Sequence, residues 1–250
     1  MPRNFINNLC TKVDHVLSVH TALDVTLQDQ QITEYTVTES SYCFIAPQGI
    51  TATMTLLITT SIASNIHIQC GNNSNVTVRF IMLFPDIADI TVHTYVCADN
   101  AQVTILGMYA ITDQQSVSLR SKQIHCGKNS TSKFIIQGLV AQQAKFLYDG
   151  TIRIEESGSG TYAMQHNKNI LLSHTSSAIS IPNIEVLNHD VQCYHGAAVG
   201  KFDKHQIQYM QSRGLDDAII QQLLIEALFQ EPLQGYENKE LILQRVYKKI

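Results

Sequence analysis

Cys193 and His195 are the two side chains best suited to chemistry. They stand two apart in a segment that alternates like a strand, so both project from one face and can approach a single atom. Thiolate and imidazole together suit iron or sulfur chemistry. The plain alternative is a packed thiol beside a hydrogen-bonded histidine, with Cys193 as one more interior position of a stacked sheet. The other histidines, His15, His20, His67, His93, His125, His166, His174, His189 and His205, carry no metal-site spacing. His125 adjoins Cys126, but consecutive strand residues point to opposite faces. Glu185 and Asp190 could form a carboxylate pair, although a polar turn suits them better. Gly196–Gly200 lacks the Lys-Ser/Thr ending of a phosphate loop and its strand-to-helix setting, so ATP hydrolysis by this chain is not expected.

The elements that would hold these groups repeat. Cys43, Cys70, Cys97 and Cys126 recur at intervals of 27, 27 and 29 residues. The last three lead into turn-like clusters, Gly71-Asn72-Asn73, Ala98-Asp99-Asn100 and Gly127-Lys128-Asn129. Alternating segments follow: Val76-Thr77-Val78, Val103-Thr104-Ile105 and the weaker Ser132-Lys133-Phe134. A fixed period of this size, with strands and no amphipathic helix, predicts a β-helix whose coils stack in register. The four cysteines then read as an inward-pointing ladder beside a turn. A row of metal or sulfur ligands is the functional alternative. A disulfide between adjacent rungs fits the spacing but not a reducing compartment.

The strand pattern continues through 146–155 and 161–172 to about Val199, with Gly158 and Gly160 marking a tight loop. Helices are predicted beyond it. Asp203 is a good N-cap, Gln206 completes a capping box, Phe202 and Ile207 form a hydrophobic staple, and Gly214 is a C′ stop. A second helix from Asp216 would present Ile219, Ile220, Leu223, Leu224, Ala227 and Leu228, a face that suits core better than partner surface. Pro232 and Gly235 interrupt it. A third helix from about Asn238 carries Leu243, Val246, Tyr247 and Ile250. The fold class is therefore mainly β: a β-helix of stacked parallel strands over 1–200 and an α-helical subdomain over 201–250.

Composition narrows the function. The formal charge is −4, from 17 basic and 21 acidic residues, with no basic stripe, so nucleic acid is a poor partner. No apolar run approaches the ~18–20 residues that span a bilayer. Met1–Cys10 has no apolar leader core, which predicts a cytoplasmic protein with reduced thiols. A carbohydrate-active β-helix enzyme would show acidic clusters, exposed aromatics along one face and usually secretion, and none of these is evident.

The segment Ile184–Arg213 resembles the C-terminal signature of the SufB/SufD family of iron–sulfur cluster assembly proteins. The matching residues are Asp190, Val191, Cys193, His195, Gly196, Ala197, Val199 and Gly200, then Asp203, Gln206, Tyr209, Ser212, Arg213 and Gly214. Gly150-Thr151-Ile152-Arg153-Ile154 and the run Gln165, Asn167, Asn169, Leu171-Leu172-Ser173 also match. The resemblance implies a right-handed parallel β-helix with a C-terminal helical tail, in agreement with the stacked strands and helices read from the residues. It also implies a non-enzymatic scaffold subunit acting with a SufC-like ATPase and a SufB-like subunit, or with a second copy of itself.

On that resemblance His195 and Cys193 are cluster or interface groups, with His195 the candidate ligand for transient iron or a transient cluster. No cofactor would be permanently bound. Gln206, Tyr209 and Arg213 would lie in the ATPase-docking surface. Alternatively, their helix covers the open end of the sheet, and Arg213 binds its own helix's last carbonyls. Typical SufD chains carry a helical region ahead of the β-helix, whereas this chain begins almost at the β-helix. SufB-type subunits carry a functional cysteine in the strand matching Tyr162–Leu172, where this chain has Asn167. They carry Glu where Gly196 stands. The chain therefore resembles the SufD-type partner. A purely structural subunit of the ATPase complex is the rival reading.

Overall fold

A computed structural model describes residues 23–250. The Met1–Cys10 stretch read for a leader, together with His15 and His20, lies outside the described residues. Among the described residues fourteen strands run from β1 (Leu23–Thr26) to β14 (Val191–Gly200), and three helices follow. Odd-numbered strands form one seven-stranded sheet, here sheet A, and even-numbered strands form a second, sheet B. Every pairing is parallel and links a strand to the next but one. The chain thus crosses between sheets at each strand and advances one rung per pair of strands, as a β-solenoid. Alternation does the rest. In β8 (Gln102–Ile111) and β10 (Thr131–Val140), Val103, Ile105, Ser132 and Phe134 are buried inside. The predicted repeat is in register: Val76↔Val103↔Ser132 and Val78↔Ile105↔Phe134.

The turn clusters in the repeat have a backbone cause. Asn73, Asn100 and Asn129 all adopt left-handed conformations, with φ of 55°, 55° and 51°. Asparagine tolerates that region better than most residues. Asn100 Nδ2 donates to Asn73 Oδ1 at 3.1 Å, so the turns stack as a short amide ladder. At the next rung Gly160 takes this place, with φ 73°. A Cβ there would strike Asn129 Oδ1.

The cysteine ladder is not what the spacing suggested. Between β3 (Ser41–Ala46) and β5 (Ile62–Cys70), Cys43 pairs with His67, an offset of 24 residues rather than 27. Between β5 and β7 (Ile87–Val96), Ile62 pairs with Ala88, an offset of 26. An odd slip moves a side chain to the opposite face. Cys70 therefore points into the core, while Cys43 lies buried on the outer face of sheet A. Only the last interval equals its rung offset, Ile87↔Ser116. Cys97 and Cys126 consequently lie side by side with Cα atoms 4.1 Å apart and sulfurs in bonding contact, half-exposed. That pairing is one the expected reducing compartment disfavours.

The helices are α1 (Lys204–Ser212), α2 (Asp217–Phe229) and α3 (Lys239–Lys249). Asp203 and Asp216 cap the first two: Asp203 Oδ1 accepts from the His205 amide and Asp216 Oδ1 from the Ile219 amide, both at 2.8 Å. No side-chain bond from Gln206 completes the box. Gly214 ends α1 with φ 86°, as a C′ residue. The buried face of α2 is Ile220, Ile225, Leu228 and Phe229, whereas Ile219 and Leu223 are exposed. It packs with Ile242, Leu243 and Val246 of α3 against Ile81, Leu83, Met108, Leu139 and Ile170 on the outer face of sheet B. Arg79 fastens this layer. Its Nε donates to Pro232 O at 2.9 Å and its Nη2 to Gln234 O at 2.6 Å, with the guanidinium over the Tyr236 ring. Among the described residues no helix is long and apolar enough to cross a membrane.

Candidate functional site at the open end of the solenoid

The site is built by the last rung having no successor. In β12 (Thr161–Leu171) Thr161, Ala163, Gln165, Asn167 and Asn169 are buried, and the residues between them are half-buried or exposed. Strand β14 pairs in register: Thr161↔Val191, Ala163↔Cys193, Gln165↔His195, Asn167↔Ala197 and Asn169↔Val199. Cys193 and His195 therefore continue two interior columns and share the inner face, as the i, i+2 spacing predicts. Opposite them β13 (Ser177–Val186) continues the Ile152 and Ile154 columns with Ile184 and Val186.

Among the described residues β13 and β14 end their sheets, which leaves this inner face open. Ile184, Val186 and Val199 are 37%, 40% and 46% exposed. His195 is exposed among them. Cys193 is half-buried, packing with Val191 on Ile152, Ile154 and Ala163, and that burial pushes its thiol up. Thiol and imidazole thus share a face in different environments. Among the described residues no group of three or more His, Cys, Asp or Glu is arranged to hold a metal ion. A metal ion or cluster at His195 would need further ligands from outside the described chain.

Behind this rung the interior turns polar, which the sequence reading did not anticipate. Asn169 Nδ2 donates to Asn167 Oδ1 at 2.6 Å and to Ala198 O at 3.3 Å. The Tyr109 hydroxyl donates to Asn169 Oδ1. Gln165 Nε2 reaches Gly150 O at 3.3 Å, while its Oε1, directly below His195 in register, is buried without a partner. Further in, His125 sits between Ser130 Oγ and Ser132 Oγ at 2.7 Å each, and Ser121 bonds the Tyr148 hydroxyl at 2.8 Å. Both amide atoms of Gln123 are buried and unpartnered. Burial drives His125 down to about 4 and raises both tyrosines. The legible signal was Gln165-x-Asn167-x-Asn169, polar residues at the period of an inward face.

The helix candidates are arranged differently. Gln206, Tyr209 and Arg213 lie on one face of α1 and its C-cap, all exposed. The Arg213 guanidinium lies 5.1 Å over the Tyr209 ring. α1 buries no residue, and β13 and β14 stay largely exposed, so it does not cover the open end. The supposed carboxylate pair is not one. Glu185 binds Arg153 at 3.0 Å, and Asp190 accepts from Ser159 Oγ at 2.6 Å.

Comparison with known proteins places this architecture. The family described as SUF system FeS cluster assembly, SufBD core domain, matches residues 21–228. The chain belongs to this SufBD family. It is 27% identical over 173 residues to the iron–sulfur cluster assembly SufBD family protein Rv1462 of Mycobacterium tuberculosis, covering 66% of this chain and 44% of that one. It is 27% identical over 122 residues to the iron–sulfur cluster assembly protein SufD of Escherichia coli, covering 48% of this chain and 29% of that protein. The chloroplastic protein ABCI7 of Arabidopsis thaliana is 25% identical over 151 residues, 60% of this chain and 32% of its own length. The chain spans less than half the length of each of these relatives. The family's description names the SUF system of FeS cluster assembly.

Proposed function

We propose that this chain is a SufD-like scaffold subunit of iron–sulfur cluster assembly, working in the cytoplasm with a SufB-like subunit and a SufC-like ATPase. The observation that carries this reading is the inner face of the last rung. It presents Cys193 and His195 beside an apolar rim at a strand edge that none of the described residues covers. A strand edge with exposed Ile184, Val186 and Val199 suits a second solenoid, either a SufB-like subunit or another copy of this chain. His195 would then supply an imidazole to transient iron or a transient cluster shared across the interface, and Cys193 a thiol. The cluster is cargo in this reading, with no permanent cofactor. The chain is not itself an enzyme, and ATP hydrolysis belongs to the ATPase. Exposed Gln206, Tyr209 and Arg213 would meet that ATPase. Nucleic acid and membrane have no part in the proposal.

The half-buried Cys193, packed as an interior rung, favours a second reading: a structural subunit that never touches a cluster. His195→Ala separates the two. In cells depending on this system, the variant should retain both partners in a pull-down and lose maturation of iron–sulfur enzymes. Full maturation with intact partners would leave only the structural role. A double Tyr209→Ala, Arg213→Ala variant should lose the ATPase from the same pull-down; retention would move the docking surface elsewhere.

A further inference from the structure

A second set of ligand-type residues lies on the outer face of sheet A. Register aligns Asp24, Cys43, His67, His93 and Lys122 in one column, one residue per rung. The two histidines stand 26 residues apart, the rung offset between β5 and β7, which is why no sequence spacing revealed them. Their ring centroids are 5.2 Å apart and the rings are inclined at 52°.

That distance can be tested against coordination geometry. A metal–imidazole bond is about 2.0–2.1 Å, which puts the ion about 3.2 Å from each ring centroid; two such rings at a tetrahedral angle then lie about 5.2 Å apart. The observed spacing matches. His93 Nδ1 is buried and has no hydrogen-bond partner. Tyr95 flanks the pair, its ring centroid 6.1 Å from His67 and 6.3 Å from His93.

Cys43 does not join them. It lies on the other side of His67, two rungs or roughly 10 Å from His93, and its thiol accepts from Gln69 Nε2 at 3.7 Å. Burial, with Asp24 nearby, pushes that thiol up to about 11. The ligand count is therefore two, consistent with the lack of any three-residue metal group among the described residues.

We propose that His67 and His93 form a two-imidazole site for one borderline divalent transition-metal ion, with water completing its coordination. The site is three rungs of sheet A away from β13 and the open end. Lys122, on the rung beyond His93, limits its affinity.

The probe is Zn²⁺, titrated into metal-free full-length protein at pH 7.5 against a chromophoric chelator. One equivalent should bind. His67→Gln and His93→Gln should each weaken binding by about tenfold or more. Cys43→Ser and His195→Ala should leave it unchanged. The imidazole proton resonances of His67 and His93 in the unmutated protein should shift together on the first equivalent, a readout independent of variant folding. Absence of binding, unaltered affinity in both glutamine variants, or loss only in His195→Ala would overturn the proposal. The last outcome would put the metal at the open end and leave the scaffold reading standing.

Discussion

His125 offers a quantitative test of the polar interior. The imidazole is fully buried and bonded to two serine hydroxyls. Two effects compete there. Hydroxyl oxygens can accept from both nitrogens of an imidazolium, which favours charge, whereas desolvation disfavours it. Desolvation wins, lowering the group from 6.5 to about 4. Between those values the unfolded chain binds a proton that the folded chain does not, so stability falls as pH drops through this window. It is fully retained above 6.5 and most of the loss is complete near 4. At pH 5 the unfolded imidazole is protonated about 30:1 and the folded one about 1:10, which amounts to about 2 kcal/mol lost relative to pH 7.5. The control is His125→Gln, which keeps a donor and an acceptor but cannot titrate. Urea unfolding followed by far-ultraviolet circular dichroism at pH 7.5 and 5.0 gives the comparison. The native protein should lose about 2 kcal/mol more than the variant over that interval, roughly 0.7–1 M in midpoint. His67 and His93 titrate in both proteins and cancel. Parallel losses would refute the reasoning, because they would mean that the two serines hold His125 charged inside the fold.

Other perturbations probe other contacts. Arg79→Met removes two charge-assisted bonds to the Pro232 and Gln234 carbonyls, and should loosen the helical layer by about 2–4 kcal/mol; hydrogen exchange should quicken in α2 and α3 but not in β8 or β10. Gly138→Val drives a side chain into the Tyr109 ring, which is stacked on Phe146, and should cost about 1–3 kcal/mol. Gly200→Ala, where a Cβ meets nothing within 4 Å, should stay within about 0.5 kcal/mol in the same thermal melt. Ile184→Asp and Val199→Asp lie at exposed positions, so the chain alone should keep its melting temperature while pairing with a second solenoid weakens at least tenfold by sedimentation. Undiminished pairing would move the interface away from the open end.

The strands were legible in the sequence because alternation is local: Val76, Val78, Val103 and Ile105 announce both strand and face. The caps at Asp203 and Gly214 were legible for the same reason. Register was not, because turn length varies from rung to rung. The offsets of 24, 26 and 29 turn a regular cysteine spacing into three different environments. The α2 face was read one position out, since Ile219 and Leu223 fit a helical stripe as well as Ile225 and Phe229 do. Packing on sheet B decided between them. For Cys193 and His195 the shared face was legible. Their unlike burial was not, because it depends on Ile152, Ile154 and Ala163 approaching from earlier rungs.

A solenoid must stop somewhere, and how it stops carries information. An edge meant to remain solvent-exposed is usually short, charged or covered. Here β13 and β14 are each ten residues long, and their exposed residues include Ile179, Ile181, Ile184, Val186, Tyr194 and Val199. The carboxylates nearby are held by Arg153 and Ser159 and do not guard the edge. Apolar columns would also have been the cheapest interior to end on. Instead Gln165, Asn167 and Asn169 lie beneath the last rung, one of them with an unpartnered oxygen under His195. Buried amides cost stability unless they are fully bonded. An interior that accepts that cost just below an open, apolar-rimmed edge is better explained by a polar group handled at that end than by packing alone.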